Sequence, residues 1–520
     1  MTMLRRLAGT LLCIFLVTVT QSGPATHAAP EVDRERINIP GTDESHTPPQ
    51  LNRVRAFRYF AVGGPVPAVV LVLLPGINSG PNTMDILARA LINRTGFPLE
   101  VWIVEPRATL FQDRRGVHAA IQSNNPDVAL AYYYGKLAVD GHVFTPRSPM
   151  ETSYAAYWGL DLHLRDIHAA INEIRRRLPQ AAVFLGGHSL GAILAALYAG
   201  YDFDRIPGPW PVQEIKGAPV ASAGAGFRDL RGLVMLDGAP LSIVPRLTED
   251  QYLHGFWLPG LPRIPGVDQL TAADPRHRVG PFTDTSSLAR VEDSILFDVI
   301  VVYAYLRPDE ASTLPFPPRG ALRITNEALL GGILSDQMQP DLFIRASVGS
   351  PLGEFTRIPD PAGIRREGLL DLQSGTPVPG ESLIRWIPYD RSTPRGRVDL
   401  RALEEAILRP RGDFTQWYMP WRLVLDLGLA ANLDTADVFA RQYVSLTQMR
   451  HITLPVLIIG AGEGLIRHPD ESRFFLDRIA TSPQSERVLV LPGYTHLDIE
   501  DAVNNDAVPL ILSWIGTVVH

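Results

Sequence analysis

Cysteine is almost missing from this chain: Cys13 is the only one in 520 residues. A single thiol cannot close an internal disulfide or build a cysteine-ligated metal site. Lysine is nearly absent too, with Lys136 and Lys216 the only examples, so almost every cation is an arginine. The formal charge of −7 is mild, and no basic cluster is large enough to hold nucleic acid. There is no His-Glu-x-x-His, no Gly-x-Gly-x-x-Gly after a strand and no phosphate loop. These gaps remove zinc-peptidase, dinucleotide and nucleotide-triphosphate chemistry, and neither cofactor nor metal is expected.

Long apolar runs are also scarce. The one at Leu11–Val19, broken only by Cys13 and Thr18, follows Arg5 and Arg6 and precedes the small residues Ala25, Ala28 and Ala29. That order reads as a secretory signal over residues 1–29, cleaved after Ala28 or Ala29, which would take the cysteine with it. The run is short for a membrane span, and Leu12 stands where a lipoprotein signal needs a small residue. The expected location is therefore extracellular or periplasmic, with no membrane span after cleavage.

What the chain does have is alternation. Short β-rich apolar runs at Ala68–Leu74, Val101–Val104, Ala182–Leu185, Leu233–Leu236, Leu454–Ile459 and Arg487–Leu491 each end near a turn. Helical patterns lie between them, as in Leu160, Leu164, Ile167, Ile171 and Ile174, one face of a helix that Pro179 stops. Strands buried on both faces and separated by helices predict an α/β fold with a mostly parallel sheet. Ala502–Val519 can form a closing helix. More than 200 residues between the fourth and fifth runs break the alternation and are rich in Pro, Arg and aromatics. The expected division is a core over 30–240 and 452–520, with a mainly helical cap inserted at 241–451; a separate second domain is the alternative.

The residues that carry chemistry begin with Gly187-His188-Ser189-Leu190-Gly191, between the run Val183-Phe184-Leu185 and an Ala/Leu-rich helix. A serine hydroxyl is a poor nucleophile unless a base takes its proton as it attacks. A tight strand–turn–helix exposes that hydroxyl and sets the helix N-terminus beside the developing oxyanion. The pentapeptide in this setting resembles the nucleophile elbow of the α/β-hydrolase superfamily, especially its lipases and esterases. The resemblance implies the chain order serine, acid, histidine. His496, in Leu491-Pro492-Gly493-Tyr494-Thr495-His496, stands where the family keeps its base. Glu463, in Gly460-Ala461-Gly462-Glu463-Gly464 and 33 residues before His496, stands where the acid is commonly found. Asp237, after the preceding strand, holds the place that some lipases use instead; Asp470 is a third candidate, and Asp498 reads as a loop or capping residue. By the same resemblance the oxyanion donors would be the backbone N–H groups of Leu190 and of Ile77 or Asn78, in the loop Pro75-Gly76-Ile77-Asn78. His188 and Asn78 are expected to face substrate, His163 and His168 to be structural or surface residues, and Arg114-Arg115 to sit on a surface loop.

Aromatics concentrate at Phe256-Trp257-Leu258-Pro259-Gly260 and Trp417-Tyr418-Met419-Pro420-Trp421. They either line an apolar pocket beneath a lid or form the cap's own core. Together these features predict a serine hydrolase acting on an apolar or lipid-like carboxylic ester through an acyl-serine. A peptidase, amidase or acyltransferase using the same triad, and a non-catalytic binding protein on a hydrolase scaffold, are the alternatives.

Overall fold

Runs of Val, Leu and Ile with no polar interruption can be stable only when both faces of a strand are covered. The computed structural model describes residues 30–520 apart from 206–220, 242–245, 258–262, 284–289, 315–323, 340, 353–382, 390–396 and 434–438. The expected signal segment and several stretches of the 241–451 region lie outside the described residues. Eight strands form one sheet: β1 (Val32–Pro40), β2 (Arg53–Ala61), β3 (Val69–Leu74), β4 (Leu99–Glu105), β5 (Ala182–His188), β6 (Gly232–Leu236), β7 (Val456–Ala461) and β8 (Glu486–Leu491). Their spatial order is β1-β2-β4-β3-β5-β6-β7-β8. The first two pairings from the β1 edge are antiparallel and the rest parallel. This is the expected α/β-hydrolase fold.

The strand period of two sorts the apolar side chains cleanly. Val70, Val72, Leu74, Leu185, Leu233 and Met235 pack on one face beneath the helices Leu160–Arg177 and Leu190–Ala199. Their neighbours Val69, Leu71, Leu73, Phe184, Val234 and Leu236 pack on the other against the helices Asp85–Arg94 and Ala507–Val519. Each such side chain contributes about 1.5–3 kcal/mol by leaving water, so the sheet is the rigid base on which the loops sit. The closing helix starts at Ala507 rather than Ala502, after a separate turn of helix at Asp498–Asp501.

Between β6 and β7 the longest regular elements among the described residues are helices, including Val291–Leu306, Asn326–Leu334, Leu400–Ile407 and Trp421–Ala430. The apolar cluster of the first three also takes in Val117, Ala120, Ala129 and Tyr132 from the helices Arg115–Ser123 and Asp127–Tyr134, which follow β4. Trp417, Tyr418 and Trp421 are buried in the clusters of this layer, so those aromatics form its core. Trp257, in contrast, is largely exposed. Among the described residues no helix is long and apolar enough to cross a membrane.

Candidate active site

The C-terminal ends of β3, β5, β6 and β8 bring the candidate residues together. Ser189 follows β5 with φ 55° and ψ −120°, a conformation that L-residues adopt only when their surroundings enforce it. The enforcement is visible. The Ser189 N–H donates to the Leu236 carbonyl at 2.9 Å, and a β-carbon on Gly191 would overlap the Leu74 carbonyl oxygen. Only glycine lets the helix Leu190–Ala199 leave the sheet that close to β3. Gly191→Ala is therefore expected to cost about 3 kcal/mol or more, checked as a lower thermal midpoint and reduced soluble yield.

The acid that meets the histidine is Asp237, not Glu463. His496 Nδ1–H donates to Asp237 Oδ2 at 2.6 Å, with both side chains buried. The Asp237 carboxylate also accepts the Ala461, Leu465 and Ile466 N–H groups, each at 2.9 Å. Burial pushes its pKa up, but the hydrogen bond and charge of His496 and the backbone N–H groups outweigh this and hold it below the usual carboxylate value. The glycines around Glu463 explain the difference. The turn after β7 wraps the Asp237 carboxylate so closely that a β-carbon on Gly464 would collide with it. Glu463 lies outside that wrap and is exposed. Asp470 is exposed as well, 3.2 Å from His468. The legible signal was Asp237-Gly238 directly after a strand, which stood as the alternative.

On the other side of Ser189, the loop after β3 closes in. A β-carbon on Gly76 would stand 3.3 Å from the Ser189 β-carbon. The N–H of Leu190 opens the helix Leu190–Ala199 and so has no intrahelical partner. Among the described residues the N–H groups of Ile77 and Asn78 donate to nothing. Asn78 adopts φ 53°, and its buried Oδ1 has no partner among those residues. The Ser189 hydroxyl likewise makes no hydrogen bond there.

Both loops are fastened to the 241–451 segment. The Asn78 carbonyl accepts the Gln416 N–H at 2.7 Å, and the Gly80 N–H donates to the Phe414 carbonyl at 2.7 Å. The Arg345 carbonyl accepts the Leu497 N–H at 3.0 Å and the Thr495 hydroxyl at 2.9 Å. Asp498, fully buried, accepts from the Thr495 and Ser347 N–H groups, each at 2.8 Å, and so ties the 345–347 segment to the turn that carries His496. From the same stretch Phe343, 46% exposed, stands edge-on to His496 with ring centres 6.0 Å apart.

Other candidates fall elsewhere. His188 is buried with Nε2 2.9 Å from the His496 carbonyl oxygen. His168 meets the Tyr198 hydroxyl at 2.9 Å. Arg114 is not on a surface loop: it is buried, 3.1 Å from Asp298 and 3.6 Å from Asp413. Arg115 remains exposed beside Asp113. A small cavity of about 20 Å³ opens beside the loop after β3; Gly76, Leu190, Leu194 and Met419 line it, with Arg107 and His163 also in its wall. Burial drives the His163 pKa down to about 4, so its ring is neutral.

No known family profile matches the chain in sequence, and no curated protein does. Among solved structures it is similar to a candidate lipase from Sulfolobus solfataricus, at 14% identity and a TM-score of 0.48, covering 94% of each chain. It is similar to a thermophilic esterase from Thermogutta terrifontis at 9% identity and a TM-score of 0.33, covering 94% of this chain and all of that one. A haloalkane dehalogenase from Bradyrhizobium elkanii is similar at 11% identity and a TM-score of 0.36, with 94% and 97% covered.

Proposed function

We propose that this chain is a secreted serine hydrolase that cleaves apolar carboxylic esters through an acyl-Ser189 intermediate. The observation that carries the reading is the buried His496–Asp237 pair at 2.6 Å, set beside a serine with φ 55° at the start of a helix. An ionised Asp237 keeps the proton of His496 on Nδ1 and leaves Nε2 as a lone pair. In the reaction Nε2 takes the Ser189 proton as Oγ attacks the ester carbonyl. The Leu190 and Ile77 N–H groups stabilise the oxyanion. His496 then returns the proton to the departing alcohol, and water repeats the sequence to release the acid.

Support for an apolar substrate comes from Phe343 beside His496 and from Leu190, Leu194 and Met419, which share the cavity wall with the polar Arg107, His163, Asp166 and Gln416. At about 20 Å³ that cavity accepts little more than a water-sized group. It suits a short acyl chain, leaving the larger alcohol to lie toward Phe343. The test joins two measurements on the mature protein. A fluorophosphonate should label Ser189 in the folded chain and not after unfolding. Among aryl esters of graded length, acetyl and propionyl should exceed octanoyl in kcat/KM, with peptide amides far below. Phe343→Ala should raise KM for aryl esters several-fold while leaving kcat near normal. Absence of labelling sinks the enzyme reading; amides turned over faster than esters, or an octanoyl preference, sink the substrate class.

A further inference from the structure

We propose that Glu500, acting through His188, is a positioning residue that holds the His496 loop in register with Ser189. The proposal rests on the function given above, and its observations lie outside the triad. His188 and Glu500 are both buried, with side chains 2% and 1% exposed, and His188 Nδ1 is 3.4 Å from Glu500 Oε2. The opposite nitrogen, Nε2, is 2.9 Å from the His496 carbonyl oxygen. The two imidazoles lie 4.2 Å apart.

The direction of each contact follows from what the atoms can do. A carbonyl oxygen only accepts, so His188 Nε2 carries a hydrogen and donates to His496. Burial first, and the neighbouring His496 next, push the His188 pKa down to about 3, so the ring is neutral and holds one proton. Its Nδ1 is then a lone pair that wants a donor. Glu500 is the side chain beside it, and neither of its oxygens has a hydrogen-bond partner among the described residues. Burial and Asp501 raise the Glu500 carboxyl well above its ordinary value, so it keeps the proton it would share with Nδ1. The charged or titratable groups around this pair are Asp501 and Asp498 on the same turn of helix, Asp85 beside Asp501, and the His496–Asp237 pair beside His188. His496 is thus held twice, by Asp237 at the ring and by His188 at its own backbone.

At 3.4 Å the Glu500–His188 contact is long for a hydrogen bond and adds little stability, and an apolar residue of similar size in place of a buried carboxyl is commonly neutral or stabilising. A merely structural Glu500 and a positioning Glu500 therefore predict different things for Glu500→Leu. Positioning predicts kcat and the fluorophosphonate labelling rate down about ten- to a hundredfold, KM within twofold and a thermal midpoint unchanged or raised. Glu500→Gln, whose amide N–H can still donate to Nδ1, should keep kcat within about threefold. A readout free of turnover is the downfield proton resonance of His496 Nδ1–H, which should broaden or shift in Glu500→Leu and persist in Glu500→Gln. The inference is overturned if Glu500→Leu keeps wild-type kcat and resonance, or if Gln falls as far as Leu. Wild-type protein that neither labels nor turns over esters overturns the proposed function instead, and the resonance then still decides whether Glu500 holds the loop.

Discussion

Ser189→Ala is expected to lower ester turnover by about a million-fold and to abolish fluorophosphonate labelling, with little change in thermal midpoint. The size of the fall follows from chemistry. Among the described residues no other hydroxyl or thiol bonds to the His496–Asp237 pair, so what remains is binding and oxyanion stabilisation of direct attack by water. The small structural effect follows from geometry: the Ser189 hydroxyl makes no hydrogen bond among the described residues, so removing it strands no partner. Ser189→Gly makes a useful companion. It should be equally inactive yet more stable by about 1 kcal/mol, because glycine adopts φ 55° without the penalty that a β-carbon brings. Calorimetry on both variants with progress curves on an aryl acetate is the check. Turnover within a hundredfold of wild type in either variant would mean that another group attacks the ester.

Asp237→Asn should lower kcat by about ten-thousandfold, whereas Glu463→Ala should leave it within about twofold. An asparagine fits the space but loses the charge that fixes the His496 tautomer and stabilises the imidazolium. Its amide would also point a donor into a site already filled with donors, the N–H groups of Ala461, Leu465 and Ile466 and Nδ1 of His496. The same group couples stability to pH. Its folded-state pKa lies below the ordinary value, so its contribution is present above that ordinary value and is lost as pH falls through the lowered one. In Asp237→Asn that part of the acid lability should vanish, seen as a flatter thermal midpoint in the acid range. Activity that survives Asp237→Asn and fails with Glu463→Ala would return the acid to Glu463.

The parts of the fold legible from sequence were those where one force dominates. Strands β3 to β7 are covered on both faces, and their Val/Leu/Ile runs say so. Strands β1 and β2 could not be read that way. Val32-Asp33-Arg34-Glu35-Arg36-Ile37 mixes charge into an edge strand, and those charges find partners only in three dimensions, as Arg58 does with Glu35 and Glu100. The nucleophile turn was legible because strand, glycines and helix must coincide in a short stretch. The acid was not, since spacing along the chain cannot say which of two successive loops folds inward. Gly460-Ala461-Gly462-Glu463-Gly464 looked like a turn presenting an acid, and its glycines instead make room for the acid of the neighbouring strand. Arg114 misled in the same manner: a charged pair past a strand end suggests water, and its partners Asp298 and Asp413 come from more than a hundred residues away.

The stitching of Asn78 and Gly80 to residues 414–416, and of Thr495 and Leu497 to Arg345, gives the molecule an unusual division of labour. A hydrolase whose roof merely rests on its catalytic loops can exchange that roof for another and keep its chemistry. Here residues 414–416 and Arg345 hold the loop next to Ser189 and the loop that carries His496. On the function proposed above, replacing or trimming the 241–451 segment should therefore lower turnover itself as well as change the choice of substrate.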